Sequence, residues 1–436
     1  MALRAFLGVC LFPNINSAAP DGAHLRLDLE ENYELLGSLR DPTVLIEAEV
    51  DAGNIPGLSV SVTVADDVVY TGAFGSAFPE DGAEAFRTTS ETAFTFASIS
   101  KTITGVAVLM LHERGLVDLE ADINEYLSYV VAVPGITLAQ LMTHTSSITD
   151  NYYFTIPKDE LYVDGDPLIS LEAFNIDMFT VDGKWFSERT FVGEPGGRFD
   201  YSNVGSSLAA CVVEHVVRAH GLATDYNDFV RNSIMVPLGV GGSHYLRDFD
   251  GMMEPPVGAR PSEFWRGEME SWPHYSVPDL PNGFWRARSL DYARVLGMVA
   301  NGGVWQGVRI LSSDSIATIL TRTEWDGGRQ GAAFWSFRGG ANSPLIGHSG
   351  GELGIATDSV LDLETGVSVT LLSNGDWGQG NSFSGAMQRI EDLLLLEYGG
   401  SGAAAREGRS HVNETIDVVR YLRRRQARVR ALDGGH

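Results

Sequence analysis

Hydrophobic positions change their period several times along the chain. Apolar residues alternate with small or polar ones over 58–64 and 68–74, and Ala65-Asp66-Asp67 between them predicts a β-hairpin. From Ser98 the period becomes helical, with one apolar face that continues to Gly115. Further strands are predicted at 332–338, 354–361 and 367–372.

Helical patterns fill the region between the early hairpin and the late strands. The predicted helices cover 43–50, 137–143, 203–220, 225–236, 289–301 and 383–398. This arrangement indicates a mixed α/β fold in which one sheet is assembled from both ends of the chain. We therefore divide the sequence into a leader or N-terminal extension (1–41), a folded domain (42–398) with a helical subdomain at about 115–290, and a basic tail (399–436).

Charge changes this picture in two places. The chain has 57 acidic and 31 basic residues, a formal net charge of -26, which argues against a nucleic-acid binder. The tail is the exception, because eight arginines over 401–436 predict a basic helix.

Residues 1–19 resemble a short signal peptide. If they act as one, we expect a secreted or periplasmic protein; if they do not, we expect a cytoplasmic protein. No later run is long enough to span a membrane.

Cysteine and histidine usage predicts neither a disulfide framework nor a metal site. Cys10 and Cys211 are the two cysteines, and Cys211 lies in an apolar run typical of a core. The ten histidines show no H-x-H or H-E-x-x-H spacing. We therefore expect no metal and no cofactor.

Lys101, one of only three lysines, follows Ser98 by three residues. Positions i and i+3 share a helix face, so both side chains can point into one cleft. A buried lysine can lose its proton near neutral pH, whereas arginine cannot, so Lys101 is a candidate base for a Ser98 nucleophile. Alone, this spacing also fits a helix-capping serine with an incidental lysine.

Tyr201 and Asn203 form a second candidate element at the start of a predicted helix. An ammonium nearby lowers the proton affinity of a phenol, so Tyr201 is a candidate proton carrier. The Asn203 amide is a candidate for orienting Lys101 and a substrate. Taken alone, the tripeptide favours a plain helix cap at Asn203.

The third element, Gly347-His348-Ser349-Gly350-Gly351, stands just ahead of a predicted strand. Its glycines would let a substrate lie flush against a strand edge, and the Gly351 N–H could join that of Ser98 in an oxyanion hole. Alone, the sequence fits a tight turn. It also fits the G-x-S-x-G nucleophile elbow with Ser349 as nucleophile, although an elbow requires a helix, not a strand, directly afterwards.

In this order the three elements resemble the serine β-lactamase and penicillin-binding protein superfamily, in particular its class C branch. The motifs of that family fall on Ser98 and Lys101 (S-x-x-K), Tyr201 and Asn203 (Tyr-x-Asn), and His348, Ser349 and Gly350 (K-T-G or H-x-G). Supporting matches lie at 141–146, 195–199 and 289–294.

The resemblance implies an antiparallel sheet flanked by helices and a metal-independent hydrolase domain over 42–398. It implies that Ser98 attacks a carbonyl, that Lys101 and Tyr201 share its proton, and that the amides of Ser98 and Gly351 hold the oxyanion. The implied substrate-binding residues are Asn203, His348, Ser349 and Gly350. The implied substrate is a small ester, amide or D-peptide.

Departures from the family pattern bear on which class of substrate the protein hydrolyses. His348 replaces a common lysine, and a neutral imidazole anchors a substrate carboxylate weakly. Gly351 lacks a hydroxyl, and Ser147 stands where glycine is frequent. His348 and Gly351 favour an esterase or a D-amino-acid or DD-peptidase, whereas Ser147 has no interpretation from the sequence; a β-lactamase and a catalytically idle binding or structural protein remain alternatives. Four tryptophans are candidates for either an acyl pocket or the core: Trp265, Trp272, Trp285 and Trp335.

Overall fold

The computed structural model describes residues 42–77, 87–150, 155–163, 165–241, 258–261, 269–272, 275–339 and 343–399. The predicted leader, Cys10, Trp265 and nearly all of the basic tail lie outside the described residues. The side chain of Trp272 also lies outside them, and the domain boundaries stay predictions.

The strands and helices of the described residues follow the predicted order. The strands are β1 (Gly57–Val64), β2 (Asp67–Gly75), β3 (Phe94–Thr95), β4 (Gly258–Pro261), β5 (Met269–Trp272), β6 (Arg286–Ala287), β7 (Val304–Trp305), β8 (Val308–Arg309), β9 (Ser336–Phe337), β10 (Leu345–Glu352), β11 (Ile355–Asp362) and β12 (Val367–Ser373). The helices are α1 (Pro42–Gly53), α2 (Ser100–Glu113), α3 (Leu138–Met142), α4 (Lys158–Leu161), α5 (Leu171–Phe179), α6 (Asn203–Ala219), α7 (Tyr226–Val230), α8 (Ser289–Ala300), α9 (Ser313–Ile319) and α10 (Asn381–Tyr398).

A six-stranded antiparallel sheet is assembled from both ends of the chain. Its strand order is β2-β1-β12-β11-β10-β9, so β1, near the start of the described chain, pairs with β12, near its end. β10 occupies the position next to the short edge strand β9. This topology confirms the predicted antiparallel sheet with flanking helices.

Both faces of strand β1 are buried. Leu58, Val60 and Val62 contribute to a hydrophobic core shared with α1 and α10. Ser59 and Ser61 alternate with them and meet Ser289 at the start of α8, with Oγ–Oγ distances of 2.8 and 2.7 Å. Hydroxyl groups therefore bridge the sheet to α8, because each finds a polar partner in an otherwise apolar layer.

Helix α2 lies in the larger of the two cores. Its residues from Ser100 to Leu111 are all buried, although the sequence pattern indicated one apolar face. It contacts α6, whose residues from Val204 to Val213 are also buried. A helix that is packed on all sides is a rigid support for the residues at its N-terminus.

Two local predictions were wrong. The predicted strand 332–338 is reduced to β9, because Ala333 and Phe334 have φ angles of 55° and 65°, which interrupt an extended backbone. The glycine-rich element 347–351 lies inside β10 and forms neither a tight turn nor a lead-in to a strand. Its glycines permit close packing, since a Cβ on Gly350 would lie 2.6 Å from the Phe96 carbonyl oxygen.

Candidate active site

Ser98 lies in a 3₁₀ turn, Ala97–Ile99, directly before α2. Ala97 has a φ of 47°, a left-handed conformation that costs a non-glycine residue about 1–2 kcal/mol. Two hydrogen bonds fix the preceding residue: the Thr357 hydroxyl donates to the Phe96 carbonyl (2.8 Å), and the Phe96 N–H donates to the Trp285 carbonyl (2.9 Å). The turn is therefore held in a strained shape that presents Ser98 half-exposed.

Lys101 is completely buried behind Ser98. Its Nζ lies 3.0 Å from Ser98 Oγ and donates to the Asn282 carbonyl oxygen at 2.6 Å. The same Nζ lies 5.3 Å from the centroid of the Tyr201 ring. The structure thus brings the three predicted catalytic residues together, at a Ser98–Lys101 distance that permits proton transfer.

His144 stacks against Tyr201, with ring centroids 4.2 Å apart. The Ser202 N–H donates to His144 Nδ1 at 3.1 Å, which places the proton of the neutral ring on Nε2. Burial holds the pKa of His144 well below its usual value, and Lys101 and His348 act in the same direction. A neutral imidazole therefore supports the Tyr201 ring without adding a charge.

Asp150 caps the helix that follows Tyr201. Its carboxylate accepts from the backbone N–H of Asn203 (2.8 Å) and of Val204 (3.2 Å), and from the Asn203 side chain (2.7 Å). Burial nevertheless raises the pKa of Asp150, while these bonds and Lys101 oppose the shift. The Asn203 amide nitrogen is thus bound to Asp150, and the orientation of Lys101 by Asn203 stays a prediction.

His348 is buried on β10, with its ring centroid 6.3 Å from that of Tyr201. Its Nδ1 donates to the Ser349 carbonyl oxygen. Burial, with Lys101 acting in the same direction, lowers the pKa of His348 to about 3. The imidazole is therefore neutral at neutral pH and presents no positive charge to a substrate.

Main-chain groups of β10 alternate between β11 and the opposite side. The Arg338 N–H donates to the Leu345 carbonyl (2.9 Å), so the groups of odd-numbered residues, including Gly351, face away from β11. β9 pairs only with Ile346 and Gly347. Among the described residues, the strand edge beyond Gly347 therefore has no partner strand, and the Gly351 N–H is directed toward that edge.

Trp377 covers this end of β10. Its indole N–H donates to the Gly350 carbonyl at 2.7 Å. A Cβ on Gly351 would lie 2.6 Å from Trp377 Cδ1, closer than real Cβ atoms approach other atoms. Glycine at 351 is therefore the residue that fits beneath the indole.

Two further carboxyl groups lie near Lys101. Burial raises the pKa of Asp279 to about 6 and that of Glu352 to about 7, and Lys101 partly opposes both shifts. The Tyr275 hydroxyl donates to Glu352 Oε2 at 3.4 Å. Among the described residues, no set of three or more His, Cys, Asp or Glu side chains is arranged to hold a metal ion.

The structure also decides among several sequence interpretations. Ser349 lies in mid-strand and is followed by β11, so the strand–turn–helix of a nucleophile elbow is not formed there. Trp285 and Trp335 are fully buried in the core. Ser147 has a φ of 68°, which explains why glycine suits that position.

Several site residues had no predicted role. His144 lay within a matched family segment, and Glu352 directly follows Gly351. The sequence carries no signal for Asp150 beyond its position four residues after Ser146, the last residue of that segment. The contacts of Asn282 and Trp377 depend on long-range packing, for which the sequence carries no local signal.

Comparison with known proteins places this geometry in a family. The family model described as Beta-lactamase matches residues 44–392. The chain belongs to the Beta-lactamase family. This result confirms the resemblance to the serine β-lactamase and penicillin-binding protein superfamily, whose members are serine hydrolases.

Individual relatives are distant from this member of the family. Penicillin-binding protein 4* of Bacillus subtilis (strain 168) is 27% identical over 174 residues, which cover 40% of this chain and 34% of that protein. Protein flp of Staphylococcus aureus (strain MRSA252) is 24% identical over 257 residues, covering 57% and 46%. The chain thus spans about a third to a half of the length of these relatives.

Solved structures share the fold. The octameric penicillin-binding protein homologue from Pyrococcus abyssi superposes with a TM-score of 0.60 at 22% identity, covering 85% of this chain and 78% of that one. D-amino acid amidase from Ochrobactrum anthropi SV3 gives 0.64 at 18% identity, covering 81% and 97%. At these identities the likeness establishes the fold alone. None of the described helices is long and apolar enough to cross a membrane.

Proposed function

We propose that the protein cleaves an ester or amide bond through an acyl-enzyme on Ser98. The observation that carries the proposal is the buried Lys101 Nζ, 3.0 Å from Ser98 Oγ and tied to the Asn282 carbonyl. Burial disfavours the charged form of a lysine, and the neutral form is the one that can accept the serine proton.

The proposed steps are those that the family resemblance implies, and the positions of Ser98 and Lys101 support them. Ser98 Oγ attacks the substrate carbonyl while its proton passes to the Lys101 and Tyr201 pair, and the leaving amine or alcohol takes a proton back. The N–H groups of Ser98 and Gly351 hold the oxyanion, and the open edge of β10 beside Ser349 and Gly350 receives the acyl part. Water then attacks the acyl-enzyme ester, the acyl group leaves as a carboxylic acid, and Ser98 Oγ regains a proton through Lys101 and Tyr201.

Two features favour an esterase or an amidase or peptidase of the D-amino-acid type over a β-lactamase. His348 is neutral and so offers a substrate carboxylate no charge. The Trp377 indole lies over Gly351, where a hydroxyl that could bind a carboxylate would have to stand. The D-amino acid amidase with the same fold supports the amide branch as an analogy.

Covalent labelling of Ser98 tests the proposal. A fluorophosphonate probe should modify the wild-type protein on Ser98, and Ser98→Ala should abolish both labelling and hydrolysis of p-nitrophenyl esters. Ser313→Ala, which changes an exposed serine on α9, is the matched control and should leave both unchanged. Ser349→Ala should remain active but slower.

The same proteins distinguish the substrate classes. D-Alanyl p-nitroanilide and a chromogenic cephalosporin should be compared with the ester series. Efficient turnover of the cephalosporin alone would favour the β-lactamase alternative. A folded protein that fails to label on Ser98 would favour a catalytically idle binding protein.

A further inference from the structure

Glu352 is the first carboxyl group that a substrate on the β10 edge would meet. It directly follows Gly351, whose N–H faces the edge beside Ser98. The Tyr275 hydroxyl binds both Glu352 Oε2 (3.4 Å) and the Leu353 carbonyl (3.1 Å), which fixes the end of the strand. The carboxyl group is thus held in place, and it lies near enough to Lys101 for the two to interact electrostatically.

Asp279 is a second, deeper carboxyl group in the same neighbourhood. It is 1% exposed, and neither of its carboxyl oxygens makes a hydrogen bond of normal geometry among the described residues. The Asn282 side chain and the Asp279 backbone N–H lie close enough to lower its pKa, as does Lys101, and Asp279 in turn acts electrostatically on Glu352. A buried carboxyl group with no hydrogen bond of normal geometry is costly, so its presence beside a reactive serine points to a ligand that donates to it.

Aromatic rings form the wall behind these groups. The Tyr275 ring lies 5.6 Å from that of Tyr162 and 5.4 Å from that of Phe284, measured between centroids. The nearby Arg286 guanidinium donates to the Tyr275 backbone carbonyl at 3.2 Å and lies 5.9 Å from the Phe284 centroid. Arg286 is therefore bound to the wall itself, and the described residues show no ion pair between it and either carboxyl group.

The balance of charge favours a cationic ligand. Lys101 acts on Asp279 and Glu352 when it is protonated, and its Nζ is bound to Ser98 and Asn282; in the neutral form that accepts the Ser98 proton it offers these acids no positive charge. Both nearby imidazoles, His144 and His348, are held neutral by burial. A carboxylate ligand would meet two acids here, whereas an ammonium would be attracted by them and by the faces of aromatic rings.

We propose that Glu352, supported by Asp279 and Tyr275, forms a subsite for a primary ammonium group of the substrate, adjacent to the carbonyl that Ser98 attacks. This subsite rests on the proposed acyl-enzyme function and narrows it to esters or amides of amino acids, or peptides with a free amino terminus. Acylation of the amine removes its charge and adds bulk, so a site built for an ammonium rejects the acylated analogue.

Protection of Ser98 from labelling tests the subsite without requiring turnover. The rate of labelling by an uncharged fluorophosphonate is measured with increasing D-phenylalaninamide and, separately, N-acetyl-D-phenylalaninamide. In wild-type protein the free amine should give half-protection at a concentration at least about tenfold lower than the acetylated compound. Glu352→Gln should reduce that ratio to about one, and the exposed Glu364→Gln should retain it.

Each outcome has a distinct meaning. Failure of Ser98 to label overturns the proposed function, and the subsite with it. Labelling without any preference for the free amine, or a preference that survives Glu352→Gln, overturns the subsite and leaves the acyl-enzyme proposal standing. A preference lost in Glu352→Gln and kept in Glu364→Gln supports both.

Discussion

Buried charges are handled differently on the two sides of the sheet. On the side of α1 and α10, Arg389 binds Glu49 (2.7 Å), and Arg338 bridges Asp358 and Glu391. Around Ser98, the buried Asp279 and the half-buried Asp150 and Glu352 interact with Lys101, and no arginine in the described part of the chain forms an ion pair with them. One region neutralises its acids with arginine, and the other leaves them near a lysine.

The difference distinguishes charged groups that stabilise the fold from charged groups that can exchange protons during a reaction. Arginine keeps its proton and binds carboxylates with two parallel donors, so it fixes an acid in the ionised form. Lysine can exchange a proton when it is buried, so groups around it can change protonation state during a reaction. Only three of the 31 basic residues are lysines, and one of them, Lys101, stands behind the candidate nucleophile.

Lys101→Arg should have the largest effect on activity, because it replaces the lysine of the site with the permanent cation found on the other side of the sheet. A permanent cation cannot accept the Ser98 proton, and the larger guanidinium does not fit the fully buried position. We expect Ser98 labelling to slow by about a thousandfold or more, within the range of general-base catalysis and added packing effects. Stopped-flow or quenched labelling would measure this rate.

Lys184→Arg is the matched control for that variant. Lys184 is exposed and pairs with Glu160, so arginine there should leave the labelling rate unchanged. A Lys101→Arg protein that is folded by circular dichroism and labels at the wild-type rate would show that Lys101 is not the base.

Arg338→Met should affect stability instead of chemistry. It leaves Asp358 and Glu391, both almost fully buried, without their shared cation. Removing one partner from a buried ionic group costs about 3–5 kcal/mol, so the free energy of unfolding should fall by roughly that amount. Urea denaturation followed by tryptophan fluorescence would measure it, and labelling of the remaining folded protein should persist.

Two variants sharpen the stability comparison. Arg329→Met removes an exposed pair with Asp326 and should cost less than about 1 kcal/mol. Asp279→Asn removes a carboxyl group that has no arginine partner among the described residues, so it should be neutral or stabilising. If Asp279→Asn destabilised the protein as much as Arg338→Met, the distinction between the two regions would not hold.

Much of this organisation could be predicted from the sequence, because it depends on local patterns. The alternation over 58–64 and the helical period after Ser98 gave elements that the structure confirms. The S-x-x-K spacing brings Ser98 and Lys101 together because i and i+3 share a helix face. The order of the early and late strands likewise indicated one sheet assembled from both ends of the chain, which the structure confirms.

What could not be predicted depends on contacts between distant segments. Glycines at 347–351 suggested a turn, but they are needed because β10 packs tightly against Phe96 and Trp377. The positive φ angles of Ala333 and Phe334 ended a predicted strand without any glycine or proline as a signal. Asp279 and Glu352 resemble ordinary surface acids in the sequence, and only burial beside Lys101 distinguishes them.

The smallest expected effect is the pH dependence of amine recognition, which tests whether the carboxyl groups near Lys101 do titrate. Burial raises the pKa of Glu352 to about 7, with Asp279 adding to the shift, and Lys101 and the Tyr275 hydroxyl opposing it. The carboxyl group is therefore neutral below about pH 7 and anionic above it, whereas an α-amino group loses its proton at about pH 8. D-Phenylalaninamide should therefore protect Ser98 more effectively than its N-acetyl form as the pH rises through about 7, and this advantage should decline above about pH 8. The ratio of the two half-protecting concentrations should change by up to about tenfold.

Taking this ratio cancels any pH dependence of the labelling reaction itself. Glu352→Gln should make the ratio independent of pH on the acidic side, and a wild-type ratio that is already maximal at about pH 5 would show that Glu352 is ionised throughout.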